Sequence, residues 1–394
     1  MSPSRYTATA LYAGSAGGGA RRLRLATPAW IAVGAALFLS LLGISAIAVT
    51  RPELAARQGV YLAIGVGCAL LATLVPPRQA RVLCWFVLAV ALALLVFVLL
   101  PFVPRSIVTP RNGARAWINL GASDFQPSEL AKIAFIMCMS QWLALHGAPR
   151  TLRALAMPAV LFAVPVGLIV LEPDLGSALL FVPTVLAMLL AAGARMRHVL
   201  PALAAAAVLA PIAYFAVLKP YQRARIDAIV AQVKGDTRFE RDIGFQGWRA
   251  MRLVGAGGAF GNDAAHAKAL IVRNALPEEH NDMIFAVVGC RHGFVGGAAV
   301  LLAYALFAVS AIAVALSVRD GWSKLVAVGI GALLFGQMAV NIGMTVGLLP
   351  ITGVTLPFVS YGGSSLLACW TLVGLLLGIG IRPPTGGEKD PFDG

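Results

Sequence analysis

The sequence predicts an all-α, polytopic integral membrane protein with about ten transmembrane helices. Of its 394 residues, 59% are hydrophobic and only 12% are charged, and the mean hydropathy is +0.84. A soluble domain carries roughly twice that share of charged residues. A hydrocarbon core about 30 Å thick needs about 20 apolar residues to be crossed as a helix, and apolar runs of that length recur along the chain. The composition therefore excludes a soluble enzyme.

Ten apolar runs, each bounded by charged residues or Pro/Gly breaks, are the predicted spans. They cover residues 27–49, 59–76, 82–103, 128–146, 154–171, 175–193, 199–218, 283–316, 322–347 and 364–381. The first run is too long for the core of a signal peptide and has no obvious cleavage site, so we expect it to stay in the membrane. The predicted membrane domain covers 27–382, between tails of residues 1–26 and 383–394.

The basic residues between the spans predict the orientation. With the N-terminus inside, fourteen Lys and Arg lie in internal segments and five in the short external ones. Because basic residues accumulate on the cytoplasmic side, both termini are expected in the cytoplasm. The net charge of +14 is scattered through these short segments, so no nucleic-acid partner is expected. Five cysteines show neither CxxC nor zinc-ligand spacing, and no disulfide framework or metal site is predicted.

One connection, residues 219–282, is far longer than the others and lies on the outer face between the seventh and eighth spans. Its apolar positions between Ile226 and Val233 have helical spacing, and they indicate amphipathic helices on the membrane surface. We interpret the connection as a structured extracytoplasmic loop. Its glycine-rich segment 255–261 lacks the features of a nucleotide-binding loop and is explained by tight turns or a flexible groove edge.

Ionisable groups at membrane depth are candidates for function because they are costly to bury. Glu129 and Lys132 stand three residues apart at the start of the fourth span, on one helical face, where they can pair. A structural salt bridge and a role in holding substrate are equally compatible with this spacing. Just upstream, Arg115 and Gln126 lie in a glycine-punctuated external stretch, and Ser128 is a candidate helix cap. The mixture favours a polar, anion-holding cavity.

Two further carboxylate groups lie beside predicted spans. Glu172 and Asp174 occupy a three-residue external link, where Asp174 can instead simply cap the sixth helix. Asp282 precedes the eighth span, and a partly desolvated carboxylate there can act as general base on a hydroxyl of a membrane-bound substrate. Its alternative role is the N-cap of that helix. Finally, the Pro- and Gly-broken segment 348–365 must face protein or a water-filled cavity.

Together these segments resemble the SEDS family, the shape, elongation, division and sporulation proteins. The resemblance rests on four ordered blocks, GARAWINLGASDFQPSELAKIA, LIVLEPDLGSALL, LPEEHNDMIFAVVG and GLLPITGVTLPFVSYGGSSLL, with YQRARI at 221–226 as a weaker fifth. It covers nearly the whole chain from the first span to Ile381. It implies a bacterial cytoplasmic-membrane glycosyltransferase that polymerises lipid II, the lipid-linked disaccharide-pentapeptide, on the outer face for elongation or division. It also implies a class B penicillin-binding transpeptidase as partner.

The implied reaction is attack by the acceptor sugar's 4-hydroxyl on the anomeric carbon of a lipid-pyrophosphate donor, with inversion. The aspartate of the family's LPE-H-x-D block is the proposed catalytic base, which corresponds to Asp282 here. The candidate substrate-binding residues are Arg115, Lys132 and Arg223 for the pyrophosphate, and Gln126, Glu129 and Glu172 for organising the cavity. No cofactor is required by these residues, although a divalent cation is compatible with a pyrophosphate substrate.

This chain departs from the family pattern after the LPE-H-x-D block. Where the family commonly has an acidic pair, Cys290-Arg291-His292 stands between two glycines. Two alternatives therefore stay open. One is a flippase for the same lipid-linked precursor, since transporters also need polar groups at membrane depth. The other is a catalytically silent scaffold that activates a transpeptidase.

Overall fold

The computed structural model describes residues 24, 26–110, 115–121, 123–151, 153–195, 197, 223, 227 and 245–382. The described part is almost entirely helical. Its helices are α1 (Ala29–Thr50), α2 (Pro52–Leu74), α3 (Pro77–Leu99), α4 (Pro127–His146), α5 (Ala156–Leu171), α6 (Leu175–Ala191), α7 (Phe245–Ala256), α8 (Ala264–Asn274), α9 (Ile284–Ser317), α10 (Gly321–Thr345) and α11 (Gly363–Gly380). One antiparallel pair joins β1 (Ile118–Asn119) and β2 (Asp124–Phe125), and a 3₁₀ turn, Arg153–Leu155, precedes α5.

Seven segments of the described chain are long and apolar enough to cross a membrane: α1, α2, α3, α5 with its 3₁₀ turn, α9, α10 and α11. Helix α6 is apolar but shorter. Helix α4 has 20 residues and buries Glu129 and Lys132. The predicted span 199–218 and the apolar positions between Ile226 and Val233 lie outside the described residues, so the number of ten spans stays a prediction. The all-α, multi-span architecture is confirmed.

The helices approach one another closely where small residues meet, as in many membrane bundles. Gly374 of α11 lies against the backbone of Ala69 in α2, where a β-carbon would come within 2.1 Å of the Ala69 carbonyl oxygen. Gly43 of α1 lies similarly against Val359, at 2.3 Å from its carbonyl oxygen. Because these neighbours are backbone atoms, a side chain at either glycine would push the helices apart. The bundle therefore holds the α10–α11 loop, residues 346–362, against α1.

The predicted eighth span, 283–316, is a broken helix. Gly293 interrupts α9 with φ 64° and ψ −161°, a conformation that favours glycine. A continuous helix of 34 residues would be about 51 Å long, more than a bilayer requires. Residues 294–317 alone are long enough to cross, so residues 284–292 form a separate half-helix that continues directly from Asp282.

The glycine-rich segment 255–261 fills this break. The Phe294 N–H donates to the carbonyl of Gly258 at 2.9 Å, and the Val295 N–H donates to the carbonyl of Ala259 at 3.1 Å. A helix break leaves these amide donors without their intrahelical partners, and buried backbone groups need replacements. The carbonyl groups of this segment are the replacement acceptors. This role is more specific than the tight turns or flexible groove edge that the sequence predicts.

Residues that precede the break in α9 also bond to the loop. Asn262 donates its side-chain amide to the Cys290 carbonyl at 2.9 Å, and Arg291 Nη1 donates to the Asn262 carbonyl at 2.5 Å. A β-carbon on Gly257 would lie 1.9 Å from the Gly289 carbonyl oxygen. The residues that depart from the family's acidic pair are therefore part of the joint between the long loop before α9 and α9 itself.

Candidate active site

The α10–α11 loop is irregular backbone buried between helices, as its Pro and Gly content predicts. Val354 and Leu356 are almost completely buried in it. Irregular backbone at this depth needs hydrogen-bond partners from protein or water. Helix α10 provides two buried amide side chains: Gln337 Nε2 donates to the Thr355 carbonyl at 3.0 Å, and Asn341 Nδ2 donates to the Val354 carbonyl at 2.7 Å. The loop is thereby held as a defined surface.

The segment before α9, residues 276–283, is fixed to this surface through three successive carbonyl groups. The carbonyls of residues 280–282 accept, in order, the Tyr361 N–H at 2.8 Å, the Ser360 hydroxyl at 2.6 Å and the Asn341 side-chain amide at 2.7 Å. Each donor comes from α10 or the α10–α11 loop. The backbone that carries Asp282 is therefore held by a hydrogen bond at each of residues 280–282.

Asp282 itself is only 9% exposed. Its carboxylate faces Gly353, where a β-carbon would lie 3.9 Å from Asp282 Oδ2. Helix α9 begins at Ile284, and its N-cap is Met283, which makes no side-chain cap bond. The alternative N-cap role for Asp282 is therefore wrong, and the carboxylate belongs to the surface formed with the α10–α11 loop.

Glu129 and Lys132 pair as their spacing predicts. Lys132 Nζ lies 2.9 Å from Glu129 Oε1, and their side chains are 3% and 7% exposed respectively. A paired buried charge avoids most of the cost of leaving an isolated ion in a low-dielectric interior. The helix α4 that carries them begins at Pro127, with Gln126 as N-cap, so the prediction of Ser128 as cap is wrong.

Gln126 connects three parts of the site. Its backbone N–H donates to Ser364 Oγ at the start of α11, and its Nε2 donates to Asp174 Oδ2, both at 3.1 Å. Asp174 Oδ1 in turn accepts the Ser177 N–H at 3.0 Å and caps α6, as the sequence predicts. The starts of α4, α6 and α11 thus meet at Gln126, which contacts α6 through its side-chain amide and α11 through its backbone N–H.

Glu172 is completely buried two residues before that cap. Neither of its carboxyl oxygens has a hydrogen-bond partner among the described residues. Burial, followed by the negative charge of Asp174, raises the pKa of Glu172 to about 9. At neutral pH the carboxyl is therefore protonated. It lies between α5 and α6, at the end of the bundle where Gly176 packs against Thr352 of the α10–α11 loop.

The two candidate arginines are placed differently. Arg115 Nη2 donates to the Val103 carbonyl at 3.2 Å, in the connection between α3 and α4, so its described contact is with that connection. Arg223 is helical and half-buried, but its sequence neighbours from 198 to 244, apart from Asp227, lie outside the described residues. Of the predicted site residues, Gln126 bonds to Ser364 at the start of α11. Asp282 bonds to Asn341 of α10 and faces Gly353 of the α10–α11 loop.

The two amides that hold the loop are not among the predicted site residues. Gln337 and Asn341 are neutral residues inside the predicted span 322–347, whereas the predicted site residues at membrane depth were chosen as ionisable groups. The signal was available, because an uncharged amide inside an apolar span also needs a buried hydrogen-bond partner. The sequence does not show the partners of Asn341, because Asp282 lies far away along the chain and Val354 lies in the following loop.

These features define a multi-pass membrane protein with a carboxylate site built on a broken helix and an irregular loop. Residues 21–382 match the family model for FtsW, RodA and SpoVE, described as "Cell cycle protein". The chain belongs to this family. It is 34% identical over 331 residues to the "Probable peptidoglycan glycosyltransferase FtsW" of Geobacter metallireducens, a match that covers 83% of this chain and 84% of the relative.

Two solved structures share the fold. One belongs to a study titled "Structural coordination of polymerization and crosslinking by a peptidoglycan synthase complex". It matches with a TM-score of 0.75 and 32% identity over 88% of this chain and 96% of the other. The other is the rod shape determining protein RodA of Thermus thermophilus, with a TM-score of 0.65 and 30% identity over 89% and 95% of the two chains.

Proposed function

We propose that this protein is a peptidoglycan glycosyltransferase that polymerises lipid II on the outer face of the bacterial cytoplasmic membrane. The relatives named for this activity are matched over most of their length. The observation that carries the proposal is the placement of Asp282: a 9%-exposed carboxylate on a segment held at three successive carbonyls. A catalytic group needs such fixed geometry, because small misplacements are costly to the rate.

In the proposed reaction Asp282 is the general base. It takes the proton of the acceptor's 4-hydroxyl while that oxygen attacks the anomeric carbon of the donor sugar. The bond from the anomeric carbon to the pyrophosphate oxygen breaks with inversion, and the polyprenyl pyrophosphate leaves with the electron pair. A carboxylate that is partly shielded from water suits proton abstraction at a membrane surface.

The other predicted residues fit supporting roles. Lys132 has three N–H donors and uses one on Glu129, so two are left for a pyrophosphate oxygen. Gln126 organises the cavity through Asp174 and α11. Glu172, neutral at pH 7, offers a hydroxyl donor without adding negative charge beside an anionic substrate. Arg115 and Arg223 stay proposed partners of the pyrophosphate.

We further propose a class B penicillin-binding transpeptidase as partner and both termini in the cytoplasm. The partner is supported by the match to a chain of a synthase complex that couples polymerization and crosslinking. Among the described residues, no three His, Cys, Asp or Glu side chains come together as a metal site. A divalent cation is compatible with this reaction, since Mg²⁺ is usually bound mainly by substrate phosphates.

The test is a polymerisation assay with purified protein in detergent, lipid II, and the transpeptidase present or absent. We expect polymer from the wild type and none from Asp282→Asn. The matched control is Asp263→Asn, because Asp263 is an exposed N-cap of α8 in the same loop, and asparagine caps equally well. Polymer from a folded Asp282→Asn protein would remove Asp282 from the mechanism. Transport of labelled lipid II across liposomes without polymer would favour the flippase instead.

A further inference from the structure

Asn341 joins the two segments that form the candidate active site. It is fully buried on α10, and its Nδ2 donates to the carbonyls of Asp282 and Val354, at 2.7 Å each. Both partners are pure acceptors, so the nitrogen of the amide must face them and the oxygen must point away. One side chain therefore holds the segment before α9 and the α10–α11 loop at a fixed separation.

We propose that Asn341 is a positioning residue for the reaction: its amide holds the backbone of Asp282 against the α10–α11 loop and thereby sets where the carboxylate stands. This inference rests on the proposed function for its kinetic consequences. Asn341 contacts the Asp282 carbonyl and not the reacting atoms, so it acts through Asp282.

The local geometry explains why this position needs an amide. The Asp282 carbonyl precedes the first turn of α9, and the Val354 carbonyl lies in irregular backbone. Neither is satisfied by a regular helix, and each needs a donor at depth. A single NH₂ group has two donors and can serve both. An apolar residue of the same size would fill the space and leave both carbonyls unpaired.

The amide oxygen supports a positioning role over a packing role. Asn341 Oδ1 is buried and accepts no hydrogen bond from any described residue. An unpaired buried acceptor is unfavourable. If the amide served only to fill space, its unpaired oxygen would destabilise the fold without compensation. The two hydrogen bonds that Nδ2 donates to the catalytic segments provide that compensation.

Gln337 provides a natural comparison. It lies one helical turn earlier on α10, is buried, and its Nε2 donates to the Thr355 carbonyl at 3.0 Å and to Thr355 Oγ1 at 3.3 Å. It therefore holds the same loop one residue further along, through a bond that does not involve Asp282. Removing each amide separately distinguishes support of the loop from positioning of the carboxylate.

The experiment compares Asn341→Leu with Gln337→Met, two substitutions that keep side-chain size and remove the donors. Initial polymerisation rates are measured over a range of lipid II concentrations. We expect Asn341→Leu to lower kcat about 100-fold, the scale associated with a misplaced catalytic group, while KM stays within about threefold. Gln337→Met also loosens the loop but removes no bond to Asp282, so we expect it to lower kcat at least tenfold less than Asn341→Leu does. Equal kcat values in the two variants would overturn the inference.

A second readout is independent of activity. Hydrogen–deuterium exchange of the peptide covering 278–284 should accelerate in Asn341→Leu and stay unchanged in Gln337→Met. Unchanged exchange in both overturns the positioning role. If Asn341→Leu does not fold, Asn341→Thr decides, because its hydroxyl can serve one carbonyl only; a folded threonine variant with full kcat overturns the inference. If the wild-type protein makes no polymer, the proposed function is wrong. Hydrogen–deuterium exchange of the 278–284 peptide still decides whether Asn341 positions this segment.

Discussion

Lys132 donates to Glu129 at 2.9 Å with both side chains almost completely buried, one turn into the helix that begins at the candidate active site. Removing one partner leaves an uncompensated buried charge, which typically costs about 3–5 kcal/mol. Removing both leaves neutral groups that pack at little cost. We therefore expect Glu129→Gln and Lys132→Met each to lower the thermal unfolding temperature strongly, and the double variant to recover most of it.

Activity then separates the two roles that the sequence left open. If the pair helps to hold the pyrophosphate, the stable double variant makes no polymer from lipid II. A double variant with both wild-type stability and wild-type polymerisation would show that the pair is a structural salt bridge. The measurements are thermal unfolding in detergent and the gel assay for polymer.

The space in front of the Asp282 carboxylate depends on Gly353. This residue has φ 75°, and a β-carbon would lie 3.9 Å from Asp282 Oδ2. We expect Gly353→Ala to cost about 1–2 kcal/mol through backbone strain, and Gly353→Leu to abolish polymerisation by filling the approach to the carboxylate. The control is Gly121→Ala, because Gly121 has φ 85° and no described residue lies within 4 Å of a β-carbon placed there. Full activity of a folded Gly353→Leu protein would contradict this arrangement.

The joint at the break in α9 depends on Gly257. A β-carbon there would lie 1.9 Å from the Gly289 carbonyl oxygen, a backbone atom that cannot turn aside. We expect Gly257→Ala to separate the loop from α9 and lower the unfolding temperature by several degrees. Gly255→Ala, two residues earlier with nothing within 4 Å, should be neutral or stabilising by up to about 1 kcal/mol. Equal unfolding temperatures for the two variants would show that the contact can relax.

The buried carboxyl of Glu172 predicts a pH-dependent stability. Its pKa is raised to about 9 in the folded protein, so the folded state holds a proton that the unfolded state releases above its ordinary pKa. This proton is lost by the unfolded chain first, so the contribution of Glu172 to stability falls as pH rises from about 4.5 towards 9. Glu172→Gln removes this titration.

We therefore expect Glu172→Gln to raise the unfolding temperature more at pH 8 than at pH 5, when the variant and wild type are compared at each pH. The control is Glu53→Gln, the same substitution at an exposed carboxyl in the first turn of α2. A Glu172→Gln increment that is independent of pH would mean that the carboxyl is ionised in the folded protein.

Local patterns in the sequence were enough for several features. The apolar runs predict most of the described helices to within a few residues, with α2 and α3 beginning earlier than expected at Pro52 and Pro77. The pairing of Glu129 with Lys132 and the cap by Asp174 follow from spacings of three residues. Each depends on neighbours within one helical turn, and the helix period alone brings them together.

The apolar pattern predicts one span over 283–316 and does not show the break in α9, although Arg291 and His292 stand directly before Gly293. At this break, segment 255–261 supplies the carbonyl acceptors and Asn262 supplies the N–H donors that the helix loses. The residue type alone does not distinguish a glycine inside a regular helix from a glycine at a helix break. The partner that distinguishes them is more than thirty residues away.

Hydropathy and the order of the motifs are properties of the linear chain, and they were sufficient to predict the membrane architecture, the family and Asp282 as the candidate base. The folded arrangement was needed to see that Asp282 is held by Asn341 and faces Gly353, and that Glu172 is buried without a hydrogen-bond partner among the described residues. The physical reason is that irregular backbone and buried polar groups are satisfied across the bundle. Which groups meet there depends on how the helices pack, and helix periodicity does not contain that information.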